Sequence, residues 1–460
     1  MSELHEVIDL TVPASIHVVG VGGAGMSALA IVLAQMGHTV SGSDIHESQV
    51  FDQLRRAGVD VKTGHRETNR GGAYWVTSSP AVRENNVELT SARENGCRLM
   101  SRAEMLGALT RVAKTMAVAG THGKTTTTSM LSLILVHAQR RPSFLIGAPL
   151  SGMGINAVWN EGSLLVLEAD ESYGSFGELE PWMSGVTNIE ADHLDYYQTL
   201  SELEAAFERL CERTTGPVLY NADDEGAARV GRARHGIGVG IEKGNDVLVH
   251  GVSLERASSS FKLGLPSGST LSLRIAAPGR HNVQNAALAA AMASVAGVDD
   301  EAVVEGLAHF TGVPRRFEFR GSASGITFVD DYAHLPSEVA ATVAAGLAGG
   351  FTRVICVFQP HRYTRTQAVS QGFAHSFDGA HHVVVTPIYG SGEEPIPGVS
   401  GRLVAQAVTP HMSSGTVHFV EDPSLVVDEV LALLEPGDLC LTMGAGDLTE
   451  LPERLIERLR

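Results

Sequence analysis

The chemistry of this chain is densest at Gly120-Thr-His-Gly-Lys-Thr-Thr126, between the apolar run Met116 to Ala119 and a threonine-rich stretch. This predicts a strand, a glycine-bounded turn and a helix opening at Lys124. Such a turn gathers backbone N–H groups into a concavity for phosphate oxygens. Gly120 and Gly123 let the backbone come close where a Cβ would collide with the phosphate. Lys124 then offers a point charge to the β- and γ-phosphates of a nucleotide, and the Thr125 hydroxyl a ligand for Mg²⁺. The full G-x-x-x-x-G-K-[ST] pattern wants glycine where this chain has Val118. The bland alternative is an ordinary strand–turn–helix with a surface lysine.

Acidic residues follow at the ends of two later apolar runs. Leu164 to Leu167 runs into Glu168-Ala-Asp-Glu171, and Gly185 to Ile189 runs into Glu190-Ala-Asp-His-Leu-Asp195. Carboxylates at the carboxyl end of a parallel strand beside a phosphate turn are where nucleotide-hydrolysing folds hold Mg²⁺. Glu168 is the foremost candidate. His193, between two aspartates, reads as a metal ligand or a substrate-orienting group.

Earlier in the chain, Ile16 to Val19 leads into Gly20-Val-Gly-Gly-Ala-Gly25, then a helix from Met26 to Met36 with Gly37 at its end. The next strand ends in Asp44. A G-x-G-x-x-G followed by an acid at this distance is a dinucleotide-type fingerprint, with a diphosphate on the helix N-terminus and the acid near a ribose hydroxyl. The motif does not choose the nucleotide. His65 and Asn69 lie in a polar loop within reach of a phosphate, and Ser78-Ser-Pro80 ends another strand. Plain loop or turn roles remain open for all of these.

Towards the other end, Asn282 and Asn285 lie one turn apart near a helix start, fit either to cap the helix or to bond an adenine edge. Arg315 and Arg316 form a pair suited to phosphate. Polar groups cluster again at Asp330-Asp-Tyr-Ala-His334, Gln359-Pro-His-Arg-Tyr-Thr-Arg365, Pro387 to Glu393 and Gly444 to Asp447. Arg362 and Arg365, three residues apart, can grip one carboxylate.

These groups need elements to position them. Apolar runs alternating with helical stretches predict an α/β fold with parallel sheets, because ligands gather at carboxyl strand ends. The expected segments are 1–108 and 314–460, both Rossmann-like, flanking a P-loop-type segment at 109–313 with a small antiparallel insertion at 244–276. The length of 460 residues is too great for one core. No apolar run reaches the ~18 residues of a membrane span, and the first residues lack a signal-peptide pattern. Four scattered cysteines without C-x-x-C read as reduced thiols in a cytoplasmic protein. A net charge of −18 with 5% aromatics argues against nucleic-acid binding.

Taken in order, Gly20 to Met26, Gly120 to Thr126, Glu168 to Glu171, Asn188 with Asp192 to Asp195, Gly279 to Asn282, Arg315 to Phe317, Asp330 to Tyr332 and Phe358 to Thr366 resemble the Mur ligase family over nearly the whole chain. The resemblance implies a three-domain, ATP-dependent amide-bond ligase of peptidoglycan synthesis. Its substrates would be UDP-N-acetylmuramate and L-alanine, its ions Mg²⁺, and its state a monomer or weak homodimer. Gly20, Gly22, Gly23, Gly25, Met26, Ser27, Asp44, His65 and Ser79 would then serve the UDP sugar. Gly120, Thr121, His122, Gly123, Lys124, Thr125, Thr126, His281, Asn282, Asn285, Arg316 and Asp331 would serve ATP. Thr125, Glu168 and His193 would hold metal, and Tyr332, His334, His361, Arg362 and Arg365 the amino acid. Lys124, Glu168, His193, Arg316 and His334 would carry catalysis.

The family reads Asp-Asp-Tyr-Gly-His-His-Pro where this chain has Leu335 for the second histidine. It also has no lysine between Lys124 and Lys243, so the lysine carbamate of several later-acting members is absent. That suits an alanine-adding member. A sibling ligase adding a peptide or another amino acid, an NAD-dependent dehydrogenase resting on Gly20 to Gly25, and a nucleotide-switch binding module are the alternatives.

Overall fold

A computed structural model describes residues 8–192, 194–412 and 415–460. It contains three sheets. The first has the spatial order Asp60–Thr63, Thr39–Asp44, Ser15–Val19, Trp75–Ser78, Arg98–Ser101, all parallel. Its chain starts at the centre and winds outwards in both directions, which leaves a crevice at the carboxyl ends of the central strands.

The second sheet has ten strands, and the phosphate strand Lys114–Ala119 lies between Met183–Val186 and Leu164–Glu168, parallel to both. The interior of these strands is buried on both faces, which explains their unbroken apolar character. The expected insertion proves continuous with this sheet. Val247–Leu254 pairs in parallel with Ile237–Gly240, and Ser259–Gly264 and Thr270–Ile275 follow outward. Side chains along these last two strands alternate between buried and exposed, as one covered face requires.

The third sheet runs Glu318–Ala323, Ile326–Asp331, Leu439–Met443, Val354–Phe358, His382–Val385, Thr416–Phe419. Only the first strand is antiparallel to its neighbour. Val354–Phe358 is buried throughout, and its two faces feed two separate cores, one around Phe373 and Phe377, the other around Val430 and Leu455.

Two compact units carry these sheets. One comprises Met1–Val249, Leu263–Leu271 and Gln284–His309; the other comprises His250–Lys262, Ser272–Val283 and Phe310–Arg460. Within the first unit, Leu29 and Leu33 of the helix Ala24–Gln35 share a core with Leu145 and Ala157 of the second sheet. Each of these leucines contributes about 1.5–3 kcal/mol by leaving water. The Gln35 side-chain carbonyl also accepts the Trp159 N–H at 2.7 Å. Helix Arg102–Val112 joins the two sheets and begins in a capping box: the Glu104 N–H donates to Ser101 Oγ and the Ser101 N–H to the Glu104 carboxylate. Among the described residues, no helix is long and apolar enough to cross a membrane.

Candidate active site

The turn after Lys114–Ala119 is fixed from its neighbour's strand end. Thr121 N–H donates to the Asn188 carbonyl at 3.0 Å, His122 N–H donates to Asn188 Oδ1 at 2.8 Å, and Thr187 Oγ1 donates to the His122 carbonyl. Two glycines permit this packing. Gly120 has φ +146° and lies so close to Thr187 that a Cβ has no room; Gly123 has φ +77° and abuts the Asn285 amide. Helix Lys124–His137 then begins with its first N–H groups facing the turn. The expected Thr121, His122 and Thr126 are therefore part of one rigid cradle, and Thr126 is buried.

Lys124 is held inside it. Its ammonium donates to the Gly120 carbonyl at 2.6 Å, to the Thr121 carbonyl at 3.3 Å and to Glu171 Oε2 at 2.8 Å. Burial pulls its pKa down, but the Glu171, Asp170 and Glu168 carboxylates outweigh burial and leave it raised. Lys124 is thus a permanent cation.

Glu168 ends its strand beside the cradle. Thr125 Oγ1 donates to Glu168 Oε1 at 2.9 Å, and the Gly147 N–H donates to Glu168 Oε2 at 2.6 Å. A Cβ on Gly147 would come within 2.7–2.8 Å of both carboxylate oxygens and of Thr125 Oγ1, so glycine there leaves an open pocket beside two oxygen donors. A carboxylate and a hydroxyl suit Mg²⁺, which keeps waters and takes phosphate oxygens for its other ligands. Among the described residues no group of three or more His, Cys, Asp or Glu side chains could hold a metal by itself. His193, the other expected ligand, lies outside the described residues. Asp170 faces the same space and accepts Ser172 N–H and Oγ at 3.1 and 2.8 Å.

A cavity of about 430 Å³ connects this carboxylate to the glycine turn of the first sheet, with Gly23, Gly25, Met26, Ser79, Gly147 and Glu168 in its wall. The N-terminus of Ala24–Gln35 thus opens into the space that holds Glu168. Gly20, at φ +78°, lies against Ser79. Ser27 caps back onto the Ala24 carbonyl at 3.1 Å. Asp44 Oδ2 accepts the Gly22 N–H at 2.8 Å and so braces the glycine turn.

His65 and Asn69 belong to a hub that the sequence reading missed. Glu88 is fully buried and accepts from Ser43 Oγ at 2.5 Å, Asn69 Nδ2 at 2.6 Å and Arg66 N–H at 3.0 Å, with His17 Nε2 at 3.1 Å. Burial alone would raise the Glu88 pKa, but these donors hold it down at about 2. His65 Nδ1 lies 3.0 Å from Ser43 Oγ. A lone glutamate outside every motif gave no warning in sequence; only the assembled strands show its partners.

Arg102 was missed too. It is the cation among the residues lining the cavity, its guanidinium packs over Gly25, and its Nε is buried without a partner. The legible signal was the capping box Ser101-x-x-Glu104, which places Arg102 at a helix start.

Helix Arg280–Val295 carries the expected amides, both buried. Asn282 Nδ2 donates to the Pro278 carbonyl at 2.8 Å, while Asn285 faces Gly123. His281 is neutral at physiological pH: burial, then the Arg316 guanidinium, lowers its pKa to about 4.

The second unit gathers the remaining candidates at the carboxyl ends of its strands. Arg315 and Arg316 both stack over the Tyr332 ring, at 4.9 and 5.0 Å. Arg316 also meets Glu338 at 3.5 Å. Asp331 accepts the Phe317 and Ala333 N–H groups at 2.7 and 2.8 Å, and burial raises its pKa to about 6 against the pull of Arg316. The His334 ring lies 5.4 Å from Tyr332 and 5.7 Å from His361. Arg365 Nη1 is 3.0 Å from His361 Nδ1. Arg362 Nε donates to Glu393 at 2.6 Å. Burial first, then His334 and the arginines, lowers the His361 pKa to about 4. Leu335, in place of the family's histidine, is buried at the start of helix Pro336–Ala348.

Three family models match in chain order: Mur ligase family, catalytic domain, over residues 15–114; Mur ligase middle domain over 118–293; and Mur ligase, glutamate ligase domain over 315–446. The chain belongs to the Mur ligase family. Its relatives include the UDP-N-acetylmuramate–L-alanine ligases of Thermobifida fusca, 40% identical with 96% of each chain covered, and of Saccharopolyspora erythraea, 42% identical with 96% of this chain and 93% of that one covered. A crystal structure of the UDP-N-acetylmuramate–alanine ligase of Thermotoga maritima aligns with a TM-score of 0.77 at 30% identity, over 96% of this chain and 98% of that one. A murein peptide ligase of Psychrobacter arcticus shares the fold, with a TM-score of 0.67 at 23% identity. This Mur ligase therefore has the three-domain α/β architecture expected of it, and the glycine fingerprint near its start lies in a ligase rather than a dehydrogenase.

Proposed function

We propose that this Mur ligase joins L-alanine to the lactyl carboxylate of UDP-N-acetylmuramate at the expense of ATP, releasing ADP and phosphate. The observation that carries this reading is the cavity itself: the glycine-turn helix N-terminus, Arg102 and Glu168 surround one space, and Glu168 is bonded to Thr125 of the cradle. A diphosphate sugar on that helix end has its acid directed toward the place where a nucleotide's terminal phosphate meets the cradle. The names of the relatives supply the substrates, and the gap in lysines between 124 and 243 agrees with the alanine-adding member.

In the first step the substrate carboxylate attacks the γ-phosphorus of ATP. One P–O bond forms, the bond to ADP breaks, and an acyl phosphate results. Lys124 and the N–H groups at the start of its helix hold the phosphate oxygens in line, which is most of what phosphoryl transfer asks of a protein. Thr125 and Glu168 would hold Mg²⁺, whose charge offsets that building on the transferring group. In the second step the neutral amine of L-alanine attacks the acyl carbon; a C–N bond forms, phosphate departs, and the amine sheds a proton. Tyr332, His334, His361, Arg362 and Arg365 receive the amino acid, with guanidinium groups taking its carboxylate. His281, Asn282 and Asn285 face the adenine, while Arg316 and Asp331 complete the ATP set. The protein works in the cytoplasm as a monomer or weak homodimer.

The test is phosphate release from ATP in the presence of UDP-N-acetylmuramate against a panel of amino acids, with the product mass measured. Release that depends on both the sugar and L-alanine is expected. Preference for a peptide or another amino acid would assign a sibling ligase, and release without an amino acid would leave a nucleotide switch.

A further inference from the structure

Two loops of the second unit are laced together at the ends of Val354–Phe358 and His382–Val385. Tyr389 N–H donates to the Pro360 carbonyl at 2.9 Å, and Arg362 N–H donates to the Tyr389 carbonyl at 2.8 Å. The His361 and Tyr389 rings stack at 5.8 Å with 13° between their planes. Glu393 closes the lacing with one carboxylate. It accepts Arg362 Nε at 2.6 Å, Thr364 Oγ1 at 2.7 Å and Thr364 N–H at 3.0 Å.

At the centre of this lacing is a strained residue. Arg362 has φ +68° and ψ 136°, a conformation that non-glycine residues rarely adopt. Such a backbone persists only where its surroundings over-determine it. Here the Tyr389 carbonyl holds its N–H, Thr366 donates to its carbonyl through both N–H and Oγ1, at 3.0 and 2.8 Å, and Glu393 holds its side chain. The strain turns the chain sharply between His361 and the helix Tyr363–Val369, which carries Arg365 back onto His361. Burial would raise the Glu393 pKa; the Thr364 donors and Arg362 outweigh it and keep the group ionised at neutral pH.

We propose that Glu393 is a positioning residue for the incoming amino acid, fixing the strained Arg362 turn so that His361, Arg362 and Arg365 present one preformed face to its carboxylate. This inference rests on the ligase reading, since it names how that reaction's third substrate is received. It also accounts for Pro387 to Glu393, whose polar residues had no assigned role. Glu393 touches no reacting atom in this account, so its loss weakens amino-acid capture and leaves phosphoryl transfer intact.

The test compares Glu393→Ala and Glu393→Gln with the unaltered enzyme, measuring kcat and the KM of each substrate. For Glu393→Ala, a rise of about tenfold or more in KM for L-alanine is expected, with KM for ATP and the UDP sugar within about twofold. Glu393→Gln keeps the shape and one acceptor oxygen, able to serve Arg362 Nε and Thr364 Oγ1, but it loses the Thr364 N–H bond and the charge facing Arg362, so an intermediate rise of about threefold is expected. It also decides the matter alone if the alanine variant does not fold. An unchanged KM for L-alanine, or a parallel rise for all three substrates, overturns the proposal. Absence of alanine-dependent phosphate release in the unaltered enzyme would instead overturn the ligase reading, so the two failures are distinct.

Discussion

Lys124 and Arg102 stand on either side of Glu168, and the proposed reaction gives each a different phosphate: Lys124 contacts Glu171 in the cradle, while Arg102 lines the cavity beside the glycine turn. Lys124 belongs to the nucleotide cradle, so Lys124→Ala is expected to lower ligation about a thousandfold or more, as loss of a charge aimed at the transferring group does. Calorimetric titration with the UDP sugar alone should give an unchanged affinity; equal loss of binding would contradict this division. Arg102 belongs to the sugar side. Its buried, unpartnered Nε next to Gly25 marks a donor awaiting an anion. Arg102→Ala should raise KM for the UDP sugar by about 10–100-fold, the worth of one or two hydrogen bonds to a charged group. KM for ATP should stay put.

At the scale of elements, strand–turn–helix units were legible because their signals are local. Leu164–Glu168, Ser15–Val19 and the start of Lys124–His137 lie where apolar runs and glycines placed them. The helices Val87–Glu94, Leu200–Arg213 and Leu451–Leu459 were not singled out, since none carries a phosphate-, metal- or carboxylate-binding pattern. Partners distant in sequence were harder still. Asp44 sits at the fingerprint spacing, but its brace on the turn through Gly22 is a contact that spacing does not show. Glu88 has partners 71 and 45 residues away. Gly147 was invisible for the same reason, and it offers a clean test because its backbone φ is not positive. In Gly147→Ala the new methyl must push on Glu168 and Thr125. Ligation should fall by about tenfold or more while the melting temperature changes little, because a small shift of ligands costs rate before stability. Steady-state kinetics beside calorimetric melting would check both.

At the scale of the molecule, the Glu88 hub ties two strands of the first sheet, a loop and a helix into one piece, and its charge sets an acid limit. The folded pKa of about 2 lies below the ordinary value of 4.5. The unfolded chain therefore takes up this proton first as pH falls. The stabilisation is complete above pH 4.5 and is lost between there and about pH 2, by roughly 3 kcal/mol. Glu88→Gln should flatten that part of the curve and lower stability at pH 7. Denaturant titrations across pH 2 to 6 measure it; parallel curves for both proteins would show that the acid sensitivity lies elsewhere.

The Lys124–Glu171 contact has a consequence for turnover. An empty cradle with a bare ammonium would cling to whatever nucleotide had just been spent. Here an internal counter-ion stands ready to reclaim the lysine as soon as ADP begins to loosen, so departure is an exchange of partners rather than the exposure of a naked charge. Glu171→Gln should consequently retain ADP longer, and stopped-flow chase of a fluorescent ADP would reveal it as a slower off-rate.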